Sequence, residues 1–442
     1  MRKFIVLIGA VLFLATGCSS GWLGEEEDTD RSNLDKRVPV LKLESSLEAD
    51  DTVKSTKVTV PPQHNNLGWY QKNDQNIPLY QNLALPKELT KRTGIKAGAG
   101  AQSGSRLMAL PVVADNMIFI LDGDAFVQAY DLNDFKHFLW KAKTLSRDRR
   151  EGVTGGGFAY AGGVLYVTSG VDEVLALDAK TGEVKWRRQL GGIIRAAPTV
   201  SAGKVFALSV DNKMYALDIT DGSILWTHEG YAETLGLLGS PSPSVAGNIV
   251  IVPYSSGEIY ALEAHSGTEL WSGNVAFRGA DSISSAIPDI EAFPVISRGA
   301  VFAGSNSGVL AADSLKQGVR FWEHEMSLSH TPWIAGDFLY VLTEESQLAA
   351  VYIPSGKVKW VKSLAAYEDE EKKHNKISWS SPIMAGDYLR IVGSHGKLLT
   401  IAPEDGSTVA ENDVPKDIYI TPVVASNAMY LLANDGTLLA IR

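Results

Sequence analysis

The residues of this 442-residue chain that could do chemistry are eight histidines, one cysteine, a run of three glycines and scattered carboxylates. Metal-assisted hydrolysis needs ligands at close, fixed spacing, and no HExxH or equivalent set occurs. His324 and His330 are six residues apart across a junction between repeats and read as incidental. No GxSxG elbow offers a serine nucleophile, and no GxxxxGK[ST] loop offers a phosphate cradle. Gly155-Gly-Gly157 neither follows a strand nor opens a helix, so it reads as a turn between β-units. The carboxylates recur mostly at turns, where Asp bonds backbone amides. No catalytic residue, metal ligand or cofactor site is assigned.

Cys18 is the one residue whose placement implies a reaction. Arg2-Lys3 gives a basic start, residues 4–14 are apolar, and Ala15-Thr16-Gly17-Cys18 closes with small side chains. The apolar run is too short to span a bilayer, so residues 1–17 read as an export signal. The order small-small-Gly-Cys resembles a bacterial lipobox, with Leu14 one place earlier than usual. The resemblance implies lipidation of Cys18. Ser19 in place of Asp implies the periplasmic face of the outer membrane. Acyl chains would hold a soluble body firmly at a bilayer. A single Cys excludes an internal disulfide framework. A net charge of −10, falling to −12 once Arg2 and Lys3 are removed with the signal, argues against nucleic acid as a partner. Residues 18–60 carry the cluster Glu25-Glu-Glu-Asp28 with few aromatics, and read as a flexible acidic tether. Residues 61–86, aromatic and amide-rich from Gly68-Trp-Tyr-Gln to Leu85, read as an extended lead-in.

The remaining residues, 87–442, are organised by a repeat. In 164–186, two β-branched strands are followed by Asp178-Ala-Lys-Thr-Gly182 and then Trp186, that is, by a tight turn and a further strand. Asp218, Gly222 and Trp226 keep these offsets of four and eight, as do Glu263, Gly267 and Trp271. Tyr352, Gly356 and Trp360 lose the acid, and Ala402, Gly406 and Ala410 keep only the glycine. The copies Asp131 to Trp140 and Asp313 to Trp322 read as carrying one extra residue. Each unit opens on an apolar strand, led by Pro111, Pro198, Pro243, Pro294, Pro332, Pro382 or Pro422, or by Phe158 in the second. Seven steps from Pro111 to Pro422 give a mean period of about 44 residues, in the range of four-stranded propeller blades. The eighth unit ends before its outer strand, so residues 87–96 are expected to supply it. The expected fold is all-β: an eight-bladed propeller closed by its two chain ends. The charged stretch 366–376 reads as a solvated loop.

The unit [AV]-L-[DE]-x-x-[TSD]-G-x-x-x-W resembles the repeat of quinoprotein propellers. Together with the lipobox and acidic tether, eight such units resemble the BamB family, lipoprotein subunits of the machinery that inserts β-barrels into the outer membrane. Arg106-Leu-Met-Ala-Leu-Pro-Val looks like the alphaproteobacterial branch. The resemblance implies a non-catalytic scaffold without cofactor that binds the periplasmic domains of the large barrel subunit and steers unfolded outer membrane proteins. In that family the loop after the third outer strand contacts this subunit through a Leu-x-Leu-Arg-Gly run. Leu235 and Leu237 match its leucines, and Leu238 stands in place of Arg. The next loop carries an Asp-x-Asp pair in the family, and Asp289 and Glu291 fall on those places. The leucines alone fit either packing beneath the loop or a partner-facing patch, and the two acids fit either solvated positions at the propeller rim or the same patch. Two other readings stay open: a quinoprotein dehydrogenase, and a ligand- or glycan-binding propeller with aromatic and polar side chains on a concave face.

Cys18→Ser is expected to leave a precursor that is neither lipidated nor matured by the lipoprotein route. Metabolic labelling with palmitate checks this, and a labelled variant would exclude the lipobox reading.

Overall fold

Each repeat folds as a four-stranded antiparallel meander whose strands succeed one another from inside to outside. In the second, Gly157–Ala161, Val164–Thr168, Glu173–Asp178 and Val184–Gln189 pair in order. The computed structural model describes residues 47–71, 81–102, 106–145, 155–231, 241–276, 290, 292–306, 308–328 and 330–442. Among these are eight four-stranded sheets and one small hairpin, Tyr367–Asp369 with His374–Lys376, formed by the stretch expected as a charged loop. In seven blades the innermost strand begins one residue after its proline, for instance at Val112, Thr199 and Val423. Proline lacks the N–H that a ladder needs and so stands just ahead of the strand. Apolar side chains on the second and third strands are buried on both faces, because every blade is covered by two neighbours.

The seams between blades are built by the repeat's own signature. Trp186 on the outer strand of blade 2 faces forward, and its indole N–H donates to the Ile219 carbonyl in the turn of blade 3 at 3.1 Å. Trp140, Trp226, Trp271, Trp322 and Trp360 make the same bond to Ala179, Ala264, Leu315, Ile353 and Pro403. The glycine of the receiving turn lies flat under the ring. A Cβ on Gly267 would sit 2.7 Å from Trp226, and Gly267 also has φ +75°, so two independent constraints require glycine there. Beside each tryptophan, the paired residue on the third strand is alanine (Ala176 opposite Trp186, Ala261 opposite Trp271), and the register shifts at that point as a bulge. In the fifth blade the turn residue is Ser314, whose N–H bonds Val319 O as Asp178 bonds Glu183 O. The spacing there is thus the regular four and eight, with no extra residue. Asp313 is instead buried and paired with Arg320 at 2.6 Å. The extra residue after Asp131 is real, since its turn closes on His137.

Two seams lack this lock. The seventh outer strand has Ala410 at the tryptophan position, and the eighth blade takes its outer strand from Arg92–Lys96, which pairs along its whole length with Thr437–Ile441. These seams share one large apolar cluster, to which the lead-in contributes Trp69, Leu83 and Leu85, and the chain just after it Leu89. Phe135 stacks on Tyr430 across the last junction at 5.7 Å. Arg390 is fully buried on blade 7, bonding Ala385 O, the Thr400 hydroxyl and Lys87 O, and this burial lowers its pKa to about 10. The lead-in also pairs with inner strands. Trp69 exchanges two backbone bonds with Val113, Leu83 bonds Met384 and Gly386, and Ser426 N–H donates to Asn66 O. Inner edges of blades 7, 8 and 1 that would otherwise present bare N–H and C=O groups are thereby covered.

The last part of the stretch expected as tether is docked on the propeller. Asp50 caps a one-turn helix, Asp51–Lys54, and its N–H donates to Val358 O on the sixth outer strand. Lys359 reaches Lys54 O and Thr56 O at 2.9 and 2.8 Å and pairs with Glu404 at 3.2 Å. Val53 and Val58 are buried.

Gly267→Ala is expected to cost about 2–4 kcal/mol, combining about 1 kcal/mol for the left-handed backbone with an overpacked ring contact. Gly247→Ala, at φ +58° with open space around it, should cost only the backbone part. Equal losses in denaturant melts would show that the ring contact carries nothing.

Candidate functional site

The meander fixes where connections go. Crossovers from an outer strand to the next inner strand emerge on the same face as the turns between second and third strands; this is the crossover face. Both sequence-predicted contact loops are crossovers, after Ile224–Glu229 and after Glu269–Asn274. Leu235, Leu237, Leu238, Asp289 and Glu291 lie outside the described residues, as does Cys18. Their stems are described. Tyr231 is 71% exposed, and its carbonyl is held by the Asn212 amide at 2.7 Å. Ile290, between the two acids, is fully buried with Ile251 and Val301 between blades 4 and 5. The two loops rejoin the sheets at Pro243 and Pro294, and the Ser244 hydroxyl donates to Pro294 O at 2.5 Å. Adjacent blades therefore present both loops from stems that are tied together.

The same face holds a cavity of about 350 Å³ at the centre of the ring. Its wall comes from the chain ahead of blade 1 (Arg106, Met108), from the crossovers into blades 5 to 8 (Phe293, Thr331, Ser381, Thr421) and from one turn of blade 6. The Arg106 guanidinium lies 4.1 Å from the centre of the Tyr419 ring. Sequence reading missed this cavity, because its residues are up to three hundred positions apart. The one signal available was the Arg106-Leu-Met-Ala phrase, noted as a branch marker with no role. A quinone cofactor with its divalent cation would need several carboxylates here. Glu344 is the one acid in the wall, and among the described residues no three His, Cys, Asp or Glu side chains converge. The residues present do not fit that group.

Burial lowers the pKa of three histidines on this face. His228 stacks on Tyr254, whose hydroxyl lies 2.7 Å from Nδ1. His330 Nε2 donates to Trp379 O at 2.7 Å, and His395 sits edge-on to Trp379. A histidine held below its unfolded value of 6.5 stays neutral in the folded chain while the unfolded chain takes up a proton. Stability should therefore be full above about pH 6.5 and decline as pH falls below it. Melting temperature followed from pH 7.5 to 5 is expected to drop, and His330→Gln to flatten the slope. An identical slope in the variant would remove His330 from the effect.

Comparison with known proteins follows the architecture. The protein-family model described as "Outer membrane protein assembly factor BamB" matches residues 137–362 and 354–442. BamB of Moranella endobia is 26% identical over 371 residues, covering 83% of this chain and 92% of that protein. Uncharacterized protein RP232 of Rickettsia prowazekii is 27% identical over 344 residues, covering 76% and 80%. The crystal structure of BamB from Moraxella catarrhalis superposes with a TM-score of 0.67 at 18% identity, covering 80% of this chain and all of that one. A quinohemoprotein alcohol dehydrogenase from Comamonas testosteroni shares the fold with a TM-score of 0.62 at 13% identity, covering 82% and 78%. With the match running through the blades from 137 to the C-terminus, the chain belongs to the BamB family of outer membrane protein assembly factors.

Proposed function

We propose that this chain is an accessory scaffold of the outer membrane β-barrel assembly machinery, and that it catalyses no reaction of its own. The observation that carries this reading is the family match across the propeller. In this reading Cys18 carries the lipid that anchors the chain to the periplasmic face of the outer membrane, and residues 19–46 form the tether. Leu235, Leu237 and Leu238 with Asp289 and Glu291 form the contact with the periplasmic domains of the barrel subunit. Two features support the location. The loops rise from neighbouring blades on one face, and their stems are joined by the Ser244–Pro294 bond. Tyr231, at the first loop's base, is an exposed aromatic side chain. Leu238, where the family example has Arg, makes the contact more apolar and leaves its charge to the acid pair.

Leu235→Ala with Leu237→Ala removes an apolar anchor. Hot-spot truncations cost about 2 kcal/mol or more each, roughly a thirtyfold loss of affinity. Asp289→Lys with Glu291→Lys should weaken the same contact by charge reversal, while surface changes leave the fold within about 0.5 kcal/mol. The measurement is capture of the barrel subunit from solubilised membranes beside the melting temperature. Lost capture at an unchanged melting point is the expected result. Undiminished capture by both variants would remove these residues from the contact, and a large fall in melting temperature for the leucine pair would make them core residues.

A further inference from the structure

The barrel-subunit contact makes no use of the cavity at the centre of the crossover face. Its wall is polar in a particular way. Ser346, Ser378, Ser381 and Thr421 border it, and none of their hydroxyls bonds another described residue. They are open to the cavity, unlike the Ser169 hydroxyl, which is sealed without a partner. Arg106 and Lys376 also border it, and neither forms an ion pair among the described residues. Facing them is a single acid, Glu344. In a chain of net charge −10, this is a locally cationic, hydroxyl-lined hollow. Its size falls in the range of about 300–1,000 Å³ typical of small-molecule sites.

The donor set discriminates between ligand classes. A divalent cation needs several carboxylates, and one is present. A phosphate site is commonly built on a helix N-terminus, and none of the residues in this wall belongs to a helix. A wholly apolar ligand would leave four hydroxyls and two cations without partners, at a desolvation cost for each. Hydroxyls both donate and accept, as sugar hydroxyls do. A guanidinium presents a fork that matches a carboxylate. We propose that the crossover-face cavity binds an acidic sugar, with Arg106 forking its carboxylate and the hydroxyls of Ser346, Ser378, Ser381 and Thr421 exchanging hydrogen bonds with the ring. Tyr419 backs Arg106, whose guanidinium carbon lies 4.1 Å from the ring centre. The site goes beyond the scaffold role and stands or falls separately from it, because no loop residue of the proposed partner contact takes part.

The test is calorimetric titration of the full chain with N-acetylmuramic acid, N-acetylglucosamine and inorganic phosphate. The first two differ in a lactyl carboxylate, so the acid should bind about tenfold or more tighter than the neutral sugar. Arg106→Gln should abolish that preference, and Thr421→Val, an isosteric change, should weaken both sugars by about fivefold at an unchanged melting temperature. Phosphate should compete poorly. Equal affinity for the two sugars in the parent, the absence of binding by either, or full displacement by phosphate would each overturn the assignment.

Discussion

The contact on which this architecture depends is an indole lying on a glycine of the next blade. A four-stranded meander cannot bury both faces by itself, and an outer strand is the part furthest from the core. Placing a tryptophan there gives each blade one large forward-facing surface, and its N–H finds a carbonyl in the neighbour's turn. The turn must then be thin enough to pass under the ring, which only glycine allows. Alanine opposite each tryptophan clears the same space from the other side. The six locks thus repeat one geometric solution, and the angle between blades follows from it.

A ring assembled from directional locks has to end somewhere. Here it ends at blades 7 and 8, where the donor is alanine and the acceptor turn is missing. The N-terminal segment compensates in three ways, giving an outer strand to blade 8, backbone pairing to inner edges, and leucines to the shared cluster. Buried Arg390 serves the same closure, since it ties the blade 7 sheet to the carbonyl of Lys87 just ahead of the closing strand. A charge desolvated without a carboxylate partner is costly. Its placement at the one region without a tryptophan lock links that cost to the constraint of closure.

Much of this was legible in the residues, for a definite reason. Period, turn and opening proline are local signals, and each blade repeats them, so Asp178, Gly182 and Trp186 announce the fold. The incomplete eighth unit and the segment 87–96 standing ahead of the first repeat pointed to the same closure. What the sequence hid is relational. Nothing in the spacing says that Trp186 packs on Gly222 rather than on its own turn. Asp313 took the place of Ser314 in the reading because the acid looked like the turn residue, although it pairs with Arg320. Residues 47–60 looked like tether because composition does not register one lysine, Lys359, about 300 positions away, which donates to two of their carbonyls. The central cavity was invisible for the same cause.

The closing pairing also sets an order of events. Ser426 bonds Leu67 at a sequence separation of 359, and the Arg92–Lys96 strand meets its partner only at Thr437–Ile441. Contacts of such separation are reached late and slowly in folding. During synthesis the N-terminal strand emerges early and must wait, unpaired, for the last blade. Until the final residues clear the ribosome, the sheet edge at Thr437–Ile441 does not exist. The nascent protein therefore carries an orphan β-strand for almost the whole of its synthesis, and the step that seals the ring is also the step that gives this strand its partner.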